Sequence, residues 1–180
     1  PLRAPPSAPG RPPPRPPCQT VRRRAMASGP VSRPGSRLLV LVQRATNLRA
    51  ADCGLLGGKS DPFCACEIAG KPDSGFETEH VYQTLNPIWN EEHEIGGYEQ
   101  GEDLEFEVFD YDFNDDSELL GSAVLRAAQF DREGGFEGEL PLADHSAEVK
   151  AAAMGRAPAL AVRVEVLPPR HEREVEEIET

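Results

Sequence analysis

The stretch Asp103-Leu104-Glu105-Phe106-Glu107-Val108-Phe109-Asp110-Tyr111-Asp112-Phe113-Asn114-Asp115-Asp116-Ser117-Glu118 decides the fold. Its first half alternates apolar and acidic residues with the period of two that a half-buried β-strand requires, and its second half gathers carboxylates in a loop. Val162-Arg163-Val164-Glu165-Val166 repeats the alternation near the C-terminal end. Working outward, further short β-type runs stand at Leu38–Gln43, Phe63–Ile68, Glu77–Tyr82, Glu91–Ile95, Gly121–Arg126 and Phe136–Leu140, beside Asp103–Phe109 and Leu160–Leu167. Gly57-Gly58, Lys71-Pro72-Asp73, Asn86-Pro87, Gly96-Gly97 and Gly134-Gly135 mark the turns between them. The expected fold is all-β, an eight-stranded antiparallel β-sandwich. Ser146 to Met154 breaks the pattern with helix formers, Ser146 placed to cap and Gly155 to stop, and predicts a short helix before the last strand.

Charge divides the 180 residues into three parts. Residues 1–37 hold eight Arg and no acid, residues 38–167 hold 26 acids against nine Lys or Arg, and residues 168–180 hold five acids and two Arg. A central region so acidic has no basic face with which to displace phosphate counterions, so no nucleic acid partner is expected. Eleven of the 18 prolines fall in residues 1–37, which cannot bury a core and read as a Pro/Arg-rich disordered segment, 1–35. Three other readings of it stand open: an R-x-x-P-x-x-P ligand at Arg11, Pro14 and Pro17, a transit peptide by composition, and upstream sequence before a start at Met26. The domain is expected at 36–168, with an acidic tail at 169–180. Cys18, Cys53, Cys64 and Cys66 lack zinc-type spacing, and Cys64 and Cys66 stand two apart in one strand, where a mutual disulfide is unfavourable. Reduced thiols and a cytoplasmic location follow as expectations. No run approaches the ~18 apolar residues of a membrane span, so any membrane contact is expected to be peripheral.

A second acidic cluster runs from Asp52 to Ser60-Asp61-Pro62-Phe63. Alternate connections of a sandwich emerge at one end, so loop 1 (residues 51–60), loop 2 (83–90) and loop 3 (110–118) should meet there. Carboxylates crowded in this way repel one another unless a cation stands between them, and oxygen ligands in this number suit calcium. The alternative is two solvated loop tips.

Several of these runs resemble one family. Ala45-Thr46-Asn47-Leu48, Gly58-Lys59-Ser60-Asp61-Pro62-Phe63, Thr84-Leu85-Asn86-Pro87-Ile88-Trp89-Asn90-Glu91, Phe109-Asp110-Tyr111-Asp112 and Leu119-Leu120-Gly121 are similar to the C2 domains, calcium-dependent phospholipid-binding modules, over about Ser36 to Pro168. The resemblance implies calcium ligands at Asp52, Asp61, Asp110, Asp112 and Glu118, a further one at Asp115, and carbonyl oxygens from Ala51 and Tyr111. It also implies the circularly permuted, type II strand order, because the chain opens with the strand entering loop 1 and adds one at its end.

The chain departs from the family pattern in four places. Loop 1 is longer than in many relatives, with eight residues between Asp52 and Asp61. Glu118 replaces the commoner Asp, which moves the carboxylate by about 1.5 Å, one C–C bond. Residues 75–83 carry no Lys or Arg where many relatives are basic, so phosphoinositide binding there is not expected. Phe113 stands in place of the Arg common in loop 3. Leu55, Leu56 and Phe113 at the loop tips suggest insertion instead, and partial burial of all three would contribute roughly 4–6 kcal/mol. The resulting expectation is a signalling or trafficking module that binds a phospholipid membrane surface reversibly through calcium and apolar tips, depending on anionic lipid less than basic members do. A calcium-independent domain with protein partners is the rival reading. No catalysis is expected, since His80, His93, His145 and His171 are scattered and no nucleophile elbow is present. The chain can also be the targeting fragment of a larger enzyme.

Overall fold

Alternation in sequence becomes alternation in burial along the first strand, β1 (Arg37–Thr46), where Leu38, Val40 and Val42 turn inward between half-exposed neighbours. A bulge at Gln43 shifts the register, so that Ala45 rather than Arg44 continues the buried row. The computed structural model describes residues 29–50, 59–113, 117–143 and 157–170. Within them β1 is followed by β2 (Pro62–Ile68), β3 (Lys71–Glu77), β4 (Ile88–Ile95), β5 (Leu104–Asp110), β6 (Glu118–Leu125), α1 (Ala127–Phe130), β7 (Phe136–Pro141) and β8 (Ala159–Leu167).

The strands form two four-stranded antiparallel sheets, ordered β4-β1-β8-β7 and β3-β2-β5-β6. The last strand inserts between β1 and β7, which is the permuted order expected. Leu38, Val40 and Val42 with Val162 and Val164 from one sheet, and Cys64, Cys66 and Ile68 with Leu104, Phe106 and Val108 from the other, belong to one buried cluster. Burial pushes the Cys64 and Cys66 thiols up, so both remain protonated and chemically inert, as free cysteines.

The third strand lies earlier than the sequence suggests, at Lys71–Glu77 instead of Glu77–Tyr82. Ala69-Gly70 makes the turn, with Gly70 at a φ of 79°, so Lys71-Pro72-Asp73 belongs to the strand it seemed to interrupt. β3 is an edge strand, where the missing N–H of Pro72 is tolerated. A bulge follows, and the Ser74 hydroxyl bridges it, accepting from Ile68 N at 3.0 Å and donating to Lys71 O at 2.7 Å. Residues 78–81 still run beside β2, since Thr78 N donates to Cys64 O and Val81 N to Pro62 O, which explains their strand-like pattern.

A short helix does precede the last strand, but it is α1, between β6 and β7. The predicted stretch Ser146–Met154 lies outside the described residues. Asp103 starts α1 from outside the helix, accepting from Ala127 N at 2.8 Å and pairing with Arg126 at 2.7 Å. The Ala127 N–H, helped by Arg126, holds the Asp103 carboxyl below the usual carboxylate range. At the far end of α1 the buried Asp131 carboxylate accepts from Val31 N, Ser32 N, the Ser32 hydroxyl and Tyr98 OH, so it ties the segment ahead of β1 to the sandwich.

Candidate functional site

Strand register builds one end of the sandwich into a site. Pro62 of β2 lies opposite Asp110 of β5, and Asp110 lies opposite Glu118 of β6, so the exit of loop 1 stands beside the entrance of loop 3. Loop 2 closes over them: Thr84 N donates to Ser60 O at 2.9 Å, Leu48 N to Leu85 O at 3.0 Å, and Asn47 N to the Asn86 side chain at 3.0 Å. The described ends of the three loops therefore meet, as the alternating connections of a sandwich require.

Asp61 and Asp110 are tied together at the centre through the Asp61 backbone. Asp61 N donates to Asp110 Oδ1 at 2.6 Å, and Tyr111 N returns a bond to Asp61 O at 3.1 Å. Asp110 is buried, at 3% exposure, while Asp61 is half-buried. Gln83 N donates to Asp61 Oδ1 at 2.6 Å from a left-handed backbone, φ 49°. That conformation costs a non-glycine residue about 1–2 kcal/mol, and here it accompanies an N–H bond that fixes a carboxylate. Asp61 Oδ2 accepts no hydrogen bond among the described residues.

The other predicted residues are placed differently. Asp112 is exposed on loop 3, and Phe113 beside it is 92% exposed, in open solvent as a loop tip should be. Glu118 lies in register with Asp110, but its carboxylate pairs with Arg49, whose Nη2 is 2.7 Å from Glu118 Oε1 and 2.7 Å from Leu119 O. Asp52, Leu55, Leu56 and Asp115 lie outside the described residues. Among the described residues no three His, Cys, Asp or Glu side chains converge closely enough to hold a metal.

Arg49 is the residue that the sequence hid, and its only signal is a positive charge three residues ahead of the first acidic cluster. Also missed is a ring cluster formed by the segment ahead of loop 2 and by loop 3. His80 stacks flat on Tyr111, ring centres 4.3 Å apart and 5° from parallel, and Tyr82 meets His80 edge-on at 4.7 Å. The period of two in His80-Val81-Tyr82 hinted at a shared face. Lower on the same sheet, Glu67, Glu77, Glu105 and Glu107 line a groove of about 390 Å³, so the region expected to lack basic residues is strongly acidic.

The family model for the C2 domain matches residues 36–142. Human multiple C2 and transmembrane domain-containing protein 1 is 35% identical over 106 residues, which are 58% of this chain and 10% of that protein. The chain thus spans about a tenth of that relative's length. Among solved structures, a single C2 domain of plant extended synaptotagmin 1 superposes with a TM-score of 0.62 at 27% identity, covering 77% of this chain and 99% of that one. A calcium-bound pair of C2 domains from extended synaptotagmin 2 superposes with a TM-score of 0.58 at 26% identity, covering 76% and 46%. No helix among the described residues is long and apolar enough to cross a membrane.

Proposed function

The chain belongs to the C2 domain family, and from that premise we propose that it is a calcium-dependent module that docks reversibly on the phospholipid surface of membranes from the cytoplasm, without catalytic activity of its own. The observation that carries this reading is the pair Asp61 and Asp110 at one end of the sandwich: the Asp110 carboxylate accepts from Asp61 N, and the Asp61 carboxylate accepts from Gln83 N, each at 2.6 Å.

The donor set fits a hard divalent cation. Every candidate side chain offers oxygen, Asp61 has an oxygen uncommitted among the described residues, and Asp112 and Glu118 reach solvent. Asp52, Asp61, Asp110, Asp112, Asp115 and Glu118 would hold calcium, which supplies positive charge and coordination positions for a lipid phosphate. Screening over ~8 Å confines the relevant charge to the loops, so the acidity elsewhere weighs little at the docking end. Phe113, with Leu55 and Leu56, would enter the interface, each contributing up to about 1.5–3 kcal/mol if fully buried. Binding through three partly buried tips stays in the reversible range of a single lipid anchor.

A calorimetric titration of the chain with calcium tests this reading. Heat of binding and a raised melting temperature are expected; neither would appear if the domain served protein partners without metal. That second reading has one specific support, the Arg49 guanidinium already paired with Glu118.

The same pair yields a prediction. If Glu118 is a ligand, Arg49 and calcium compete for it, and Arg49→Ala should tighten calcium binding by up to about fivefold, the worth of a partly exposed ion pair. An unchanged or weaker affinity would remove Glu118 from the ligand set.

A further inference from the structure

Beside the acidic loops lies a concave site of about 450 Å³ walled by Phe63, Glu77, Glu79, His80, Tyr82 and Tyr111. Its rings are unusually open for aromatic side chains, with Tyr82 73% and Tyr111 41% exposed. Exposed rings in a group mark recognition surfaces more often than folding requirements. Contacts among the rings already hold them in place. His80 lies flat on Tyr111 and edge-on to Tyr82, Phe63 stacks on Phe109 at 5.5 Å, and Nε2 of His80 is shut from solvent with no hydrogen-bond partner among the described residues.

Electrostatics decides what such a site attracts. Ring faces carry negative potential, Glu77 and Glu79 add negative charge at the rim, and no Lys or Arg among the described residues lines the cavity. The occupant is therefore a cation. A metal ion or a primary ammonium would have to exchange firm hydration for ring faces that accept few hydrogen bonds. A quaternary ammonium has no N–H to satisfy and sheds water readily, so it suits this lining best.

The position of the site selects the source of that cation. Tyr111 stands between Asp110 and Asp112, so one wall of the aromatic site is also part of loop 3, and Phe113 projects from the same loop. A zwitterionic headgroup carries a phosphate two carbons from a trimethylated ammonium. Its negative half matches the calcium-bearing carboxylates, and its positive half matches the rings beside them. We propose that His80, Tyr82 and Tyr111 form a subsite for the choline group of membrane phosphatidylcholine. This rests on the calcium-dependent docking proposed above, and it names the lipid class that the docking selects.

The test is sedimentation of the full chain, in calcium, with vesicles of phosphatidylcholine or of phosphatidylglycerol bearing the same acyl chains. Tyr82→Ala should weaken binding to phosphatidylcholine about tenfold, the scale of a desolvated cation–ring contact, and leave phosphatidylglycerol binding unchanged. Tyr82→Phe, which keeps the ring and loses the hydroxyl, should bind as the parent does. Equal losses on both vesicles, a loss in the Phe variant, or no loss in the Ala variant would overturn the proposal. So would a trimethyllysine peptide that binds the parent without calcium and displaces it from phosphatidylcholine, since the site would then serve protein. Calcium heat measured on Tyr82→Ala separates the two levels of inference. Heat retained with phosphatidylcholine binding undiminished in that variant overturns the choline subsite alone, whereas no calcium heat even in the parent chain removes the docking reading beneath it.

Discussion

A chain carrying Asp110→Asn together with Asp112→Asn should lose calcium affinity on the order of a hundredfold or more, because ligand charge count sets the affinity of oxygen sites. Asn keeps the shape of each side chain and a carbonyl oxygen. The Asp61 N–H bond to residue 110 can therefore persist, and the loops keep their arrangement. Without calcium the double variant should melt no lower than the parent, since two mutually repelling charges have gone. A calorimetric titration paired with a melting curve reads both effects. Unaltered calcium heat would place the metal elsewhere, and a collapsed melting temperature would show these acids to be structural.

The second large effect concerns the core. Phe106 is fully buried at the middle of β5, opposite Cys66 on β2 and Ala123 on β6. Phe106→Ala should destabilise the domain by about 3–5 kcal/mol, combining lost transfer energy with the cavity left behind. Phe113→Ala provides the contrast. Its ring is 92% exposed, so the unfolding midpoint should move by no more than about 0.5 kcal/mol equivalent, while vesicle binding weakens. Denaturant titration of both variants checks this, and comparable losses of stability would mean that Phe113 folds back onto the domain.

What was legible in the chain followed from period and charge. Alternation at Leu104, Phe106 and Val108, and again at Val162 and Val164, marked residues that prove to face one another across the two sheets. Asp61 and Asp110 were legible as a pair because sandwich topology returns alternate loops to one end, whatever their separation in sequence. The third strand was misplaced because a proline reads as a turn, and only its place at a sheet edge makes it harmless. α1 escaped notice because four residues carry no periodic signal, and its start depends on Asp103, 24 positions earlier. Arg49 was hidden for a similar reason: its partners Glu118 and Leu119 lie about 70 residues away, and nothing local announces the bridge. The His80 and Tyr111 stack joins loop 3 to the segment beside β2 in the same way. Local pattern thus revealed the scaffold and the acidic residues, while the contacts that tune them arise only when distant loops pack.

The most direct measurement is sedimentation of the chain with phospholipid vesicles in calcium and again after a chelator is added. The proposed docking predicts binding in calcium and release on chelation, with rebinding when calcium is restored. Equal binding in both conditions would contradict it.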